Sequence, residues 1–148
     1  MNSLVYQKAK EFQSKYPMTV AWRLKAHAKI IDNYINPDEE VKFAFAAQKG
    51  DYASNFFRTY LVVLTNKRIL LAQKRFLFGH LFTAITPDMF NDLGVGMGLI
   101  WGKVTIDTIK EVVVMSKIDR HALDEIETAI TVYMMEEKKK YATVAPKI

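Results

Sequence analysis

The first 35 residues place apolar side chains at helical spacing. One apolar face is formed by Val5, Ala9, Phe12 and Tyr16, which recur every three to four residues. This pattern stops at Tyr16-Pro17, because the residue before a proline disfavours helix. A second apolar face follows with Val20, Leu24, Ile31 and Ile35. We therefore predict a second helix that starts after Pro17, since proline suits a first turn, and ends before Asn36-Pro37-Asp38.

From residue 40 onward the pattern changes to that of β-strands. Val41, Phe43 and Phe45 alternate with Glu40, Lys42 and Ala44, which places the large apolar side chains on one face of a strand. The predicted strands are 40–45, 57–65, 68–73, 80–85, 93–99, 103–107 and 111–115. Asn66-Lys67 is typical of a two-residue hairpin turn, since asparagine tolerates the positive φ of a type I′ turn. Seven short strands in succession indicate an antiparallel sandwich or barrel.

The last part of the chain returns to a helical pattern. Asp119 is a suitable N-terminal cap. The apolar stripe behind it is formed by Leu123, Ile126, Ile130 and Tyr133. Acidic residues come early in this helix and lysines 138–140 come late, which matches the helix dipole. Residues 142–146 have no amphipathic pattern, so we expect the chain to fray from residue 141.

Five segments of the sequence carry a family resemblance. They are NPDEEVKFAF (36–45), YLVVLTNKRI (60–69), ITPDMFND (85–92), GLIWGKVTIDT (98–108) and residues 119–130. Together they resemble a bacterial pleckstrin-homology-like (PH-like) family, sometimes called YokE-like, whose LTNKR hairpin matches residues 64–68.

The resemblance implies an α+β, mainly β fold. This is a PH-like, seven-stranded antiparallel β-sandwich or partly open barrel, capped by a C-terminal α-helix and preceded by two N-terminal helices. It divides the chain into an N-terminal helical pair (1–36), a PH-like domain (37–140) and a frayed tail (141–148). The helical pair would lie outside the core fold. The family also implies that oligomers are common.

Composition supports one small domain. The chain has 148 residues, of which 50% are hydrophobic and 25% are charged, as is ordinary for a globular protein. The absence of cysteine excludes a disulfide scaffold, a thiolate zinc site, an iron–sulfur cluster and a cysteine nucleophile. No apolar run reaches the roughly 20 residues of a membrane span, and no signal peptide is visible. We expect a cytoplasmic protein, with peripheral attachment at the inner membrane face as the alternative.

The formal net charge of +5 favours an anionic partner. The excess lies in residues 1–74, which hold 12 Lys and Arg against 6 Asp and Glu. The candidate contacts for an anionic ligand are Lys49, Arg58, Lys67 and Arg68. For Lys67 and Arg68, the leading interpretation is a solvated turn.

The pattern of phosphoinositide-binding PH domains is incomplete in this chain. By that resemblance, Lys49 and Arg58 occupy the outer cationic positions. Phe56 stands where the middle cation should be, and Asp51 adds a negative charge. A phosphate site needs several convergent donors, so we expect weak attraction to anionic lipid rather than specific binding of an inositol phosphate.

Two tryptophans are candidates for an interaction surface. Trp22 lies beside Arg23 and Lys25 on the second predicted helix, and Trp101 lies between Leu99-Ile100 and Gly102 at a strand end. Core packing is the leading interpretation for both, and contact with a protein or with anionic lipid is the alternative. A set of three glycines, Gly94, Gly96 and Gly98, shares one strand face. It predicts a bulged strand that another element approaches closely.

No motif for catalysis or cofactor binding is found in the sequence. Residues 94–98 lack the GxGxxG spacing of a dinucleotide loop, and residues 98–103 lack the spacing and the hydroxyl of a Walker motif. His27, His80 and His121 fall in different elements, so we predict no metal site. No catalytic residue, cofactor or small-molecule substrate is predicted.

These observations favour a non-enzymatic PH-like protein that acts by protein or peptide interaction and self-assembly. Open strand edges give a physical route to both. Peripheral binding to an anionic membrane surface through basic residues is the alternative. Nucleic-acid binding is disfavoured, because the cations are spread over two helices, a loop and a turn.

Overall fold

The structure is a computed structural model that describes residues 3–51 and 56–144. For residues 135 and 138–144 it describes the backbone alone. The described residues form three α-helices and seven β-strands. The elements are α1 (Leu4–Lys15), α2 (Leu24–Tyr34), β1 (Val41–Lys49), β2 (Thr59–Thr65), β3 (Ile69–Lys74), β4 (His80–Ile85), β5 (Phe90–Met97), β6 (Trp101–Thr108), β7 (Val112–Asp119) and α3 (Leu123–Val144). Short 3₁₀ turns, Pro87–Met89 and Arg120–Ala122, precede β5 and α3.

All seven strands belong to one antiparallel sheet in the order β4-β3-β2-β1-β7-β6-β5. The strand β1 joins the two halves, because it pairs with β2 along its length and with β7 only at Gln48 and Lys49. The sheet curls into a half-barrel around the residues that pack against α3. The predicted PH-like fold, a partly open barrel with a C-terminal helix and two N-terminal helices, is confirmed.

Both faces of β1, β2 and β3 are buried. Along β2, Val62 and Leu64 face the interior that α3 covers, while Leu61 and Val63 face the N-terminal helices. Strands covered on both sides have near-continuous apolar sequences, which explains the run YLVVLT. The two N-terminal helices therefore cover one face of the sheet and form a hydrophobic core with it, whereas the resemblance implied that they lie outside the core fold.

The segment between α1 and α2 is not helical, so the prediction of a second helix starting after Pro17 was wrong. The helix α2 begins at Leu24. The backbone N–H groups before it donate instead to the sheet: that of Val20 to the Lys117 carbonyl at 2.9 Å and that of Trp22 to Thr59 Oγ1 at 3.1 Å. These tertiary hydrogen bonds replace the intrahelical ones.

The β2–β3 hairpin turn lies at Asn66-Lys67 as predicted, but it is not a type I′ turn. Among the described non-glycine residues only Arg23 and Lys117 have a positive φ. Thr65 closes the turn instead, because its Oγ1 accepts hydrogen bonds from the N–H groups of Lys67 and Arg68, both at 3.1 Å.

The start of α3 packs directly on β6. Asp119 caps the short 3₁₀ turn before this helix by accepting a hydrogen bond from the His121 N–H. Leu123 lies over Gly102, where an added Cβ would come within 2.4 Å of the leucine Cδ1. The helix continues to Val144, so residues 141–144 are helical where a frayed tail was expected, and residues 145–148 lie outside the described chain.

The glycines of β5 have a different role from the one predicted. An added Cβ at Gly94 or Gly96 would meet nothing closer than 3.9 Å, so no element packs closely against either. The register shift of β5 lies between Phe90 and Asp92, away from the glycines. The prediction of a glycine bulge under a packed element was therefore wrong at Gly94 and Gly96. At Gly98, in the β5–β6 turn, the backbone does approach closely, because an added Cβ would lie 3.0 Å from the Trp101 carbonyl oxygen.

Candidate functional site

Lys67 and Arg68 connect the β2–β3 turn to the segment before β1. The Lys67 ammonium pairs with the Asp38 carboxylate, and Arg68 Nη2 lies 2.7 Å from Glu39 Oε1. Burial acts to raise the pKa of Glu39, but hydrogen bonds from Arg68 and the Thr65 hydroxyl outweigh it and the pKa is lowered. Both cations therefore have carboxylate partners within the protein.

Lys49 and Arg58 lie at the opposite end of β2. The Lys49 ammonium is 5.7 Å from the centroid of the Tyr60 ring, and Lys49 lines a cavity of about 340 Å³ together with Glu111. Burial, with the charge of Glu111, raises the pKa of Tyr60 to about 12. A carboxylate beside Lys49 disfavours a phosphate there. The two pairs of cations are separated by the length of β2, roughly 20 Å, so the four do not converge.

Trp22 lies on the surface, so the interpretation of this residue as core was wrong. Its side chain is in the segment before α2, and the residue is 54% exposed. The indole Nε1 donates to the Phe56 carbonyl at 2.7 Å. The ring is therefore fixed in place while much of it faces solvent.

Trp101 is half-buried and forms an aromatic contact with Phe56. The two ring centroids are 5.9 Å apart and the planes meet at 69°. The Lys117 ammonium lies 5.3 Å from the Trp101 ring and 5.4 Å from the Phe56 ring. Trp101 Nε1 also donates to the Met18 carbonyl at 2.8 Å. The structure thus joins both candidate tryptophans through Phe56.

The β3–β4 turn carries the most exposed apolar cluster near these residues, and the sequence analysis did not single it out. We call residues 75–79 the hairpin tip. Phe76, Leu77 and Phe78 are 86%, 73% and 84% exposed. The turn is closed by the Arg75 N–H, which donates to the Gly79 carbonyl at 3.1 Å. Three consecutive apolar residues between two strands were the available signal.

His27 connects Trp22 to the strand that leads into the hairpin tip. The ring is almost fully buried, and burial lowers its pKa to about 4. The neutral ring accepts a hydrogen bond at Nδ1 from the Lys74 N–H, 2.8 Å away, and Nε2 lies 3.0 Å from the Trp22 carbonyl. A neutral imidazole can accept at one nitrogen and donate at the other. Trp22 and the base of the tip are therefore held at a fixed spacing.

Tyr34 holds the other strand of the same hairpin. Its ring stacks on Phe82 with centroids 4.1 Å apart, and its hydroxyl is 2.9 Å from His80 Nε2. The helix α2 thus contacts both strands of the hairpin. Its His27 bonds to Lys74 of β3, and its Tyr34 stacks on Phe82 of β4. The exposed tip therefore extends from two strands that α2 holds in place.

Three cations lie at the base of the hairpin tip. Lys74 and Arg75 precede its apolar residues, and Arg23 Nη1 lies 3.4 Å from the Arg75 carbonyl. The sequence has no Asp or Glu between residues 12 and 31 or between residues 52 and 87. The hairpin tip and the segment before α2 therefore combine exposed aromatic side chains with cations.

Other kinds of site find less support in the part of the chain that the structure describes. Within residues 3–51 and 56–144, no three His, Asp or Glu side chains are grouped as a metal ion would require. No helix in these ranges is long and apolar enough to cross a membrane.

Comparison with known proteins gives the family. Residues 35–131 match the model of the bacterial PH domain, so the chain belongs to the bacterial PH domain family. The predicted family resemblance is confirmed at this level, while the narrower YokE-like assignment stays a prediction. A comparison of this chain with curated proteins finds no significant match.

Solved structures of two bacterial proteins are similar to this chain. One is a pleckstrin homology domain from Shewanella amazonensis, with 15% identity and a TM-score of 0.44 over 75% of this chain and 86% of that chain. The other is a protein with a pleckstrin-homology domain from Shewanella loihica, with 14% identity and a TM-score of 0.49 over 80% of this chain and 96% of that chain.

Proposed function

We propose that this bacterial PH domain protein binds peripherally to anionic membranes through the hairpin tip. The observation that carries the proposal is the exposure of Phe76, Leu77 and Phe78 directly after Lys74 and Arg75. The apolar side chains would enter the boundary between headgroups and acyl chains, and the cations would remain among the phosphates.

The shape of the surface favours a membrane over a folded protein. A turn that projects from a braced hairpin needs a matching cavity in a protein partner, whereas a lipid interface deforms around it. Complete burial of a phenylalanine or leucine side chain contributes about 1.5–3 kcal/mol, and each well-placed cation about 1 kcal/mol. Trp22, half-exposed beside Arg23, would contact the headgroup level. These contributions support reversible attachment.

The proposed contact differs from the four cations singled out in the sequence. Arg58 and Lys49 lie near the hairpin end of β2, whereas Lys67 and Arg68 pair with Asp38 and Glu39 at its other end. We assign the electrostatic part of the contact to Arg23, Lys74 and Arg75, with Arg58 as a peripheral contribution.

Self-assembly remains a separate proposal, supported by the two outer strands of the sheet. The strands β4 and β5 each pair with one neighbour only, and such edges can accept a further strand. Light scattering over a range of protein concentrations tests it: a constant monomer mass would exclude assembly.

The membrane proposal is tested by sedimentation with vesicles. One set contains phosphatidylcholine alone and the other contains phosphatidylcholine mixed with phosphatidylglycerol. We expect salt-sensitive binding to the second set only. The double variant Phe76→Ser/Phe78→Ser and the double variant Lys74→Gln/Arg75→Gln should each weaken binding by about tenfold or more.

Matched controls are available on other turns. Leu99→Ser removes an apolar side chain that is 93% exposed on the β5–β6 turn, and Lys110→Gln removes an exposed cation on the β6–β7 turn. Both controls should bind like the parent protein. Equal losses in the controls and in the tip variants, or no binding to the anionic vesicles, would refute the proposal.

A further inference from the structure

The second half of β5 is a free edge of the sheet that is open to solvent on both faces. Among the described strands, β5 pairs with β6 only. Phe90 and Leu93 pack against the core, but every residue from Gly94 to Met97 is exposed. Because successive side chains of a strand point to opposite faces, exposure of four residues in a row means that the described residues cover neither face.

This edge carries no charged residue. Residues 93–102 contain no Asp, Glu, Lys, Arg or Pro, although 25% of the whole chain is charged. Proteins usually protect an exposed edge strand with a charged side chain, a proline or a covering element. Two apolar side chains, Val95 and Met97, are 38% and 61% exposed there. Nothing in this edge repels an identical edge of a second copy.

The opposite edge of the sheet, β4, is less accessible. Residues 81–84 are half-buried. Tyr34 of α2 stacks on Phe82, and its hydroxyl lies 2.9 Å from Nε2 of His80 at the start of the strand. The helix α2 therefore covers part of β4, whereas the second half of β5 has no such cover among the described residues. Of the two edges, β5 is the one more open to pairing.

The backbone groups that face the free edge follow from the hydrogen bonds to β6. The Gly98 N–H donates to the Trp101 carbonyl at 2.8 Å, so the backbone groups of Gly98 face β6. Along an antiparallel pair, bonded and non-bonded positions alternate, and the pairing of β5 with β6 is regular after its shift near the start of the strand. The N–H and C=O groups of Leu93, Val95 and Met97 therefore point away from β6.

We infer that β5 pairs antiparallel with β5 of a second copy of this chain, about a two-fold axis at Val95. This register places Val95 opposite its own copy and Leu93 opposite Met97. It is the register in which all three outward-facing residues pair with one another. Asp92 falls opposite Gly98, so no like charges meet across the pair. The contact is isologous, as in the commonest class of soluble homo-oligomers.

The side chains in this register also match. Leu93, Val95 and Met97 point to one face of the strand, because alternate residues share a face. Each copy therefore places apolar side chains directly opposite apolar side chains of the other, which stabilises antiparallel pairs. On the other face Gly94 lies opposite Gly96, so no side chain obstructs the approach. The two sheets become one continuous sheet of both copies.

This inference rests on the self-assembly proposed above and names the strand that carries it. It does not depend on membrane attachment, because the hairpin tip joins β3 and β4 at the other end of the strand order. The double variant Phe76→Ser/Phe78→Ser should therefore assemble like the parent protein.

A single cysteine tests the register, since the chain has no cysteine of its own. In Val95→Cys the two Cα atoms lie about 5.5 Å apart across the axis, which is within the range of a disulfide. We expect a disulfide-linked dimer when the full chain is mildly oxidised. Leu99→Cys is the control, because this residue is 93% exposed in the β5–β6 turn and reports random collision. It should cross-link about tenfold more slowly or less.

Sedimentation equilibrium tests the strength of the contact. Val95→Lys places like charges opposite each other and should raise the dissociation constant of the dimer by about tenfold or more. Val95→Pro removes an outward-facing N–H that β6 does not use, and it should weaken the dimer in the same way. Val112→Lys is the matched control, because Val112 is an exposed valine of β7, which lies between β1 and β6. This control should stay within about twofold of the parent protein.

Three results would overturn the β5 contact. A parent protein that stays monomeric at every concentration would exclude it together with self-assembly. A dimer that Val95→Lys and Val95→Pro leave unchanged would keep self-assembly but exclude β5 as its interface. Equal cross-linking of Val95→Cys and Leu99→Cys would show random collision. Since cysteine is close to valine in size, the cross-linking test holds even where lysine or proline disturbs the fold.

Discussion

Arg68 holds the fully buried carboxylate of Glu39 in a forked contact. Nη2 lies 2.7 Å from Oε1, and Nε lies 3.1 Å from both oxygens. The Thr65 hydroxyl also donates to Oε2 at 2.7 Å. The same guanidinium donates to the Tyr34 carbonyl at 3.2 Å. This contact connects the β2–β3 turn with the end of α2 and with the segment that leads into β1.

Replacement of Arg68 should destabilise the fold strongly. Arg68→Met leaves a buried carboxylate without its cation, which costs on the order of 3 kcal/mol. Lys67→Met is the control, because its partner Asp38 is exposed and such pairs contribute little. Urea denaturation measures both. A loss of stability in the Lys67 variant as large as in the Arg68 variant would contradict this account.

The turn shows how far local sequence determines structure. Its position at Asn66-Lys67 follows from the apolar strands on either side. Its closure by Thr65 and the pairing of Arg68 with Glu39 depend on groups brought together by folding. A solvated turn was expected for Lys67 and Arg68, whereas their partners Asp38 and Glu39 lie 29 residues earlier in the sequence.

The limits of local pattern are clearest between α1 and α2. The apolar positions Val20 and Leu24 fit one helical face, yet the N–H groups of Val20 and Trp22 bond to β7 and β2. Periodicity reports which side chains are buried, but it does not report which partner the backbone has. Strand order has the same origin: β1 lies beside β7 through contacts between distant parts of the chain.

The candidate surfaces were predictable only in part. The excess of cations in the first half of the chain was visible, but their grouping was not. Phe76, Leu77 and Phe78 looked like one more apolar stretch because composition does not indicate exposure. The acidic residues at the start of α3 were interpreted through the helix dipole, whereas Glu125 pairs with Lys15 of α1 through a contact between distant parts of the chain.

The buried ring of His27 should make the stability depend on pH. Its pKa falls from an ordinary value of 6.5 to about 4 in the folded chain. The unfolded state therefore binds more protons between these values, and the free energy of unfolding falls as the pH is lowered from about 6.5 to about 4. The loss is on the order of 3 kcal/mol.

The variant His27→Asn tests this assignment. Asparagine keeps a hydrogen-bond acceptor near the Lys74 N–H but does not titrate. Urea denaturation at several pH values across this window should show a flatter dependence than in the parent protein. An unchanged dependence would assign the effect to other groups.

Gly102 should tolerate no side chain, in contrast to Gly96. A Cβ at position 102 would overlap the buried Leu123 side chain, whereas one at position 96 meets only Lys103 Cε at 3.9 Å. Gly102→Ala should therefore cost about 1–3 kcal/mol, and Gly96→Ala should be close to neutral. Thermal unfolding compares the two variants. If Gly102→Ala proved as stable as Gly96→Ala, the packing of α3 on β6 would be looser than described.

Lys117 combines backbone strain with a buried cation. Its φ is +59°, at a bulge where β7 has one residue more than β6 between the pairs Val104 with Met115 and Gly102 with Ile118. A side chain in this conformation costs roughly 1–2 kcal/mol. The cost is offset where the ammonium meets the rings of Phe56 and Trp101, since a desolvated cation–π contact contributes about 2 kcal/mol.

Two substitutions at Lys117 separate these contributions. Lys117→Ala loses the cation and keeps the strain, while Lys117→Gly loses the cation and relieves the strain. Both variants should be less stable than the parent protein, and the glycine variant should be more stable than the alanine variant by about 1 kcal/mol. At Thr105, in regular β6, the order of the two substitutions should be reversed. If the alanine variant were more stable than the glycine variant at both positions, the bulge would impose no strain on Lys117.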